Sequence, residues 1–340
     1  MPKNIFSNLK NNFNRYKYLI LLSAGVGLFI LGFSISWFLS YLNYNQNREI
    51  SLREYGYKLI APLLGCGDFS KSQDSKLKKI ESILNNYLNR EHSDGNLIKA
   101  SVYIRQIKSG NWIGINENDI YDPASLAKIP IMMSYLKMSE SNPDILEKEL
   151  LFIGEKNSNK IQSIKPRLSL IPNHYYNVRD LIYRMIVTSD NNAEILLLNN
   201  IDKNTLQNIY QEVSDYLNKN GVDNNGISPK SYSIFFRLLY NASYINPKLS
   251  EWAMELLSQT DFTKGIVSGV PQNIIVTQKF GERDYEDKNG KIYQVELHDC
   301  GIVYSDDNPY LLCIMTKGYD LNNLADIIKN ISATTYRGLQ

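Results

Sequence analysis

The longest apolar stretch comes first in the chain. Residues 18–42 carry no charge and are largely apolar, and at about 1.5 Å per helical residue they are long enough to cross a hydrocarbon core. Lys3, Lys10, Arg15 and Lys17 precede them. This asymmetry predicts a signal-anchor: residues 1–17 in the cytoplasm, one span over 18–42, and the remainder outside the cell membrane, extracellular or periplasmic. A cleaved signal peptide is the competing reading, but the run is long for one and no small-residue cleavage site closes it.

After the span, residues 48–64 and 71–92 space their apolar positions like helices, the second with Leu77, Ile80, Ile83, Leu84 and Leu88 on one side. The first makes residues 43–72 a juxtamembrane linker or helix, and the large domain occupies 73–340. The period then changes. Residues 98–107 alternate as a strand, Lys108-Ser109-Gly110-Asn111 is a turn, and Trp112 opens a return strand. From about 129 to 260 the pattern is helical, with segments near 143–151, 178–187, 190–199, 203–218, 228–242 and 248–258. Strands return over 273–281, 293–304 and 310–316, and a helix over 321–336 closes the chain. The order predicts an α+β fold: one antiparallel five-stranded sheet, built from both chain ends, with helices packed on it and an all-helical subdomain inserted. A pocket is expected between sheet and insert.

Composition changes little in this picture. A net charge of +2 over 340 residues argues against a nucleic-acid binder, and 3 cysteines are too few for a disulfide scaffold. Cys300 and Cys313 flank the turn at Asp306-Asp307, which fits either a cross-strand bridge or two half-buried thiols.

The candidate chemistry lies where the first hairpin gives way to helix, in Asp122-Pro123-Ala124-Ser125-Leu126-Ala127-Lys128. Positions i and i+3 share a helical face, so Ser125 and Lys128 form a nucleophile beside a base, with the apolar run from Ile129 to Met133 to desolvate the amine. The same spacing at Ser7/Lys10, Ser75/Lys78 and Ser134/Lys137 lies before the span, on a charged helix, and further along the same helix. Ser189-Asp190-Asn191 falls on a turn between two apolar helical runs, and Lys279-Phe280-Gly281 ends a late strand. The triplets headed by Lys108, Lys219 and Lys288 read as turns.

In this order and context, the S-x-x-K, S-D-N and Lys-x-Gly elements resemble the signature of class A β-lactamases and penicillin-binding proteins. The likeness covers about residues 75–340 and extends to His298-Asp299-Cys300-Gly301-Ile302-Val303-Tyr304. It implies a β-lactamase-like fold and acyl-enzyme chemistry with no cofactor or metal. Ser125 would attack a carbonyl, Lys128 would take its proton, and Ser189 would pass a proton to the leaving nitrogen. Asn191, Lys279 and Gly281 would bind substrate, and the backbone N–H groups of Ser125 and Glu282 would hold the oxyanion. The implied substrates are β-lactams or cell-wall peptides.

Two departures bear on turnover. The family carries a deacylating glutamate on a loop after S-D-N, but the corresponding loop here, residues 219–227, contains none. Glu194 and Glu212, on the flanking helical segments, read as solvated surface. Slow deacylation is therefore expected. Phe280 stands where the family has a threonine or serine, at a cost on the order of 1–2 kcal/mol in carboxylate recognition, with added bulk beside the pocket. The alternative from another functional class is a weak or inactive envelope protein that binds cell-wall peptides or a protein partner.

Overall fold

The computed structural model describes residues 25–38, 53–54, 56–63, 74–216, 222–223, 226–305 and 308–340. The chain forms two units, Met1–Ser51 and Leu52–Gln340. Of the first unit, residues 25–38 are one helix with exposed side chains; the rest of the expected 18–42 span, and residues 1–17, lie outside the described residues. Among the described residues, no helix is long and apolar enough to cross a membrane.

In the second unit, helix α1 (Ser75–Ser93) starts where the Asp74 carboxylate accepts the N–H groups of Lys76 and Leu77, and it buries Leu77, Ile80, Leu84 and Leu88. Strands β1 (Leu97–Gln106) and β2 (Trp112–Ile115) follow as the expected hairpin. At the far end of the chain come β7 (Ile275–Glu286), β8 (Ile292–Tyr304) and β9 (Tyr310–Gly318), then the closing helix, which runs Leu321–Leu339. The five strands form one antiparallel sheet in the order β2-β1-β9-β8-β7, so both chain ends build it and β7 is an edge.

Both faces of the sheet are covered. Tyr310, Leu312 and Ile314 of β9 join the core made with α1 and the closing helix, whereas Leu311, Cys313 and Met315 join the core under the inserted helices. A strand buried on both faces loses polar alternation, which is why these strands read as near-continuous apolar runs.

Between β2 and β7 lies the insert: a 3-10 turn at Ala124–Ala127, then α2 (Lys128–Ser141), α3 (Val178–Val187), α4 (Asn191–Leu198), α5 (Lys203–Tyr216), α6 (Pro229–Tyr240) and α7 (Pro247–Leu257). It is not wholly helical. The expected helix over 143–151 is a short 3-10 turn at Pro143–Leu146 followed by β3 (Glu149–Phe152), which pairs with β4 (His174–Asn177). Leu150 is buried while Glu149 and Leu151 are exposed, a period of two that the helical reading missed. A minimal ladder of β5 (Val222–Asp223) and β6 (Gly226–Ile227) is the described part of the glutamate-free loop.

The helix expected over 48–64 is absent from its described part, 53–54 and 56–63, where Gly56 and Pro62 interrupt the pattern. These residues are a strap on the domain: Arg53 pairs with Leu63 across a β-bridge, the Arg53 guanidinium donates to Ala61 O (2.7 Å) and Asn241 Oδ1 (3.0 Å), and Leu59 and Ile60 are buried. The Glu251 carboxylate accepts the N–H groups of Lys58 (2.9 Å) and Leu59 (3.0 Å).

Of the two readings left open for the cysteines, the bridge is the one found: Cys300 and Cys313 face each other on β8 and β9 and are joined as a disulfide. Closing a loop with a sequence separation of 13 restricts the unfolded chain, an effect of about 3 kcal/mol. The double variant C300A/C313A is expected to lose about that much stability in urea unfolding; an unchanged midpoint would show that the native sheet does not depend on the bridge.

Candidate active site

Side chains from four elements converge at the edge strand β7. The nucleophile turn is fixed on several sides. The Asp122 carboxylate accepts the Ala124 N–H (2.8 Å), Leu126 N–H donates to Pro123 O (2.9 Å), and Tyr232 OH donates to Leu126 O (2.9 Å). His298 Nε2 lies 3.0 Å from Asp122 O. Ala124, immediately before Ser125, has φ 45°, and Ser189 has φ 59°. Left-handed backbone at these two non-glycine residues costs on the order of 1–3 kcal/mol each, so both serines are presented on or beside strained backbone.

The turn leads into α2, whose first residue is Lys128. Its amine is fully buried and lies 2.7 Å from Ser125 Oγ, 2.6 Å from Asn191 Oδ1, 3.0 Å from Ser189 O and 3.1 Å from Ser189 Oγ. Lys279 on β7, also fully buried, reaches Ser189 Oγ at 3.0 Å from the other side. One hydroxyl thus bridges two amines. Burial pulls the Lys128 amine below the usual lysine range, against the opposing pull of Glu194. Lys279 is pushed down further, by burial first and then by the neighbouring Lys128. A serine hydroxyl can pass its proton to such an amine in its neutral form, which burial favours, so the arrangement can support attack on a carbonyl.

Gly281 is where β7 meets the nucleophile turn. A Cβ there would stand 3.1 Å from Pro123 O and 3.2 Å from Leu126 N, so glycine lets the edge strand close on the turn. Asp190, in the middle of the S-D-N triplet, is an organiser: its Oδ1 accepts Asn192 N–H (2.8 Å) at the start of α4 and Asn159 Nδ2 (2.9 Å), and its Oδ2 accepts Leu170 N–H (3.0 Å).

A family model described as the beta-lactamase enzyme family matches residues 79–339. The chain belongs to the beta-lactamase enzyme family. Solved structures agree at the level of fold. The penicillin-binding protein PBP-A superposes with TM-score 0.62 at 17% identity over 80% of this chain and 99% of its own. A β-lactamase from Sphaerobacter thermophilus DSM 20745 gives TM-score 0.63 at 16% identity over 76% and 98%. A PBP-A variant solved as an acyl-enzyme complex with penicillin G gives 0.62 at 18% identity over 77% and 97%. No curated protein matches.

Within this family frame, Ser125, Lys128, Ser189, Asn191 and Lys279 come together as the sequence placed them, and Glu282 follows Gly281 on the same edge strand. Glu194 is the correction. Expected on solvated surface, it instead sets its Oε2 3.4 Å from Lys128 Nζ, with a side chain 19% exposed. The missed signal was spacing: Asn191 and Glu194 are three apart on α4 and share a face, so a helix that aims one at the lysine aims the other there too. Glu212 is exposed, as expected.

The Phe280 ring is buried against Phe262, centroids 4.5 Å apart, in the core shared with the closing helix. Its centre lies 4.3 Å from the Lys279 amine, and the ring is part of the lining of a neighbouring cavity. A strap that sequence reading did not find, residues 158–165, ties the two walls of the cleft: Gln162 Nε2 donates to Ser189 O (2.9 Å), and Ile164 N–H donates to Glu282 Oε1 (2.7 Å). Beyond it opens a cavity of about 640 Å³ rimmed by Lys165, Arg167, Asp261 and Lys264.

Behind the site, Asp299 is fully buried, and burial pushes its carboxyl from 3.8 up to about 8, opposed by the Ile266 N–H and by Lys279. A folded-state value above the unfolded one gives stability that is complete below about pH 4 and lost as pH rises through about 8. Asp299→Asn cannot ionise. Its melting temperature relative to the parent should therefore climb between pH 5 and 8, by about 2–4 °C for roughly 1–2 kcal/mol; a difference that stays flat across that range would show that Asp299 does not titrate there.

Proposed function

We propose that the chain is a membrane-anchored serine hydrolase that forms an acyl-enzyme on Ser125 with β-lactams or with the amides of cell-wall peptides. The observation that carries this reading is the fully buried Lys128 amine held 2.7 Å from Ser125 Oγ. Family membership supports it, as does a fold neighbour solved as an acyl-enzyme with penicillin G. Ser125 Oγ adds to the carbonyl carbon as its proton passes to Lys128. The backbone N–H groups of Ser125 and Glu282 stabilise the oxyanion. The carbon–nitrogen bond then breaks, and the leaving nitrogen takes its proton through Ser189 Oγ, which touches both Lys128 and Lys279. Asn191, Lys279 and Gly281 hold the substrate, Lys279 at its carboxylate end.

The anchor rests on the apolar run 18–42 and the basic residues before it. The disulfide fits a domain that matures in an oxidising exterior. Slow deacylation was expected because residues 219–227 carry no glutamate; the acid beside Lys128, Glu194, comes from a helix instead.

Intact-mass measurement after exposure to a fluorescent penicillin tests the reading. On rapid quenching after mixing, up to one label per chain is expected, abolished by Ser125→Ala and slowed at least about 100-fold by Lys128→Arg, whose side chain stays protonated. Because burial lowers the amine and only its neutral form accepts the proton, labelling should fall as the medium is acidified through that lowered value. A parent protein that takes no label from penicillins or cell-wall peptide esters would favour the binding-protein alternative.

For the anchor, protease added to intact spheroplasts should release the domain after residue 42. Complete protection would overturn the orientation.

A further inference from the structure

An ester on Ser125 is discharged by water only if some group takes a proton from that water as it attacks. Lys128 is crowded, with its amine against Ser125, Ser189 and Asn191. The acids around the site differ in what they are free to do. Asp190 is held by Asn192, Asn159 and Leu170. Glu282 is bonded to the Ile164 N–H of the strap, and burial raises its carboxyl. Asp299, on β8, is fully buried and is bonded to the Ile266 N–H.

Glu194 is placed otherwise. It sits in the first turn of α4, on the face that carries Asn191, with Oε2 3.4 Å from the Lys128 amine and the side chain 19% exposed, so water reaches it. We propose that Glu194 is the base that primes the hydrolytic water, supplied by a helix one turn beyond the S-D-N triplet rather than by a loop. The role rests on the acyl-enzyme reading. The Glu194 carboxylate takes a proton from water while the hydroxide adds to the acyl carbon. The bond from that carbon to Ser125 Oγ then breaks, releasing the acid. Ser125 Oγ regains the proton from Glu194 through the Lys128 amine, which contacts both groups.

The experiment follows one penicillin through formation and decay of its Ser125 adduct by intact mass, in the full chain and in Glu194→Gln. The parent should turn over repeatedly. The variant should still take one label, which also reports that it is folded, and hold it about 10²–10⁴ times longer. Hydroxylamine, a nucleophile that needs no base at neutral pH, should discharge the variant's adduct at the parent's rate. A variant that hydrolyses like the parent, or an adduct that resists hydroxylamine as much as water, overturns the role. A parent that labels once and stalls also overturns it while leaving the acyl-enzyme reading intact. A parent that takes no label overturns that reading, and this role with it.

Discussion

The site is built around one buried cation-forming group. The Lys128 amine has no access to bulk water, and its neighbours are two hydroxyls, a carbonyl, an amide oxygen and a carboxylate. A group so placed is costly when charged, and only a full set of acceptors makes it tolerable. Most of what surrounds it serves that need: the strained Ser189 offers both its carbonyl and its hydroxyl, and α4 presents Asn191 and Glu194 from one face. Desolvation pulls the amine below the usual lysine range while Glu194 pulls it the other way.

That balance needs rigid walls, and the fold supplies them through its layers. The nucleophile turn is gripped by Tyr232 from α6 on one side and by His298 from β8 on another, so insert and sheet share it. Gly281 lets the edge strand approach the turn, and Asp190 fixes the start of α4. Each contact is local, and each positions a different part of the site.

Much of this was legible in the sequence because it rests on period and order. The long helices and the double-buried strands announce themselves by apolar spacing, and the three motif elements by their sequence and context. The remainder depends on tertiary approach. Glu149-Leu150-Leu151-Phe152 is too short to separate strand from helix until β4 pairs with it. Glu194 looks like any helix-surface acid unless Asn191 is already known to face inward. The setting of Phe280 was not legible because alternation along β7 sends its ring to the opposite face from Gly281, a distinction set by the register of an edge strand and not by the triplet itself. The strap over 158–165 has no periodicity, and its meaning lies wholly in its partners.

The disulfide has a bearing on where the protein can work. Read across the sheet, Lys279 of β7 stands opposite Cys300 of β8, and Cys300 opposite Cys313 of β9. The covalent tie therefore lies in the same transverse row as the lysine that reaches Ser189 Oγ. In reducing surroundings that row is held by hydrogen bonds and packing alone; once oxidised, it is locked two strands deep. Oxidation of the pair thus fastens the strand that backs Lys279, and its reduction would leave that wall of the cleft without a covalent tie.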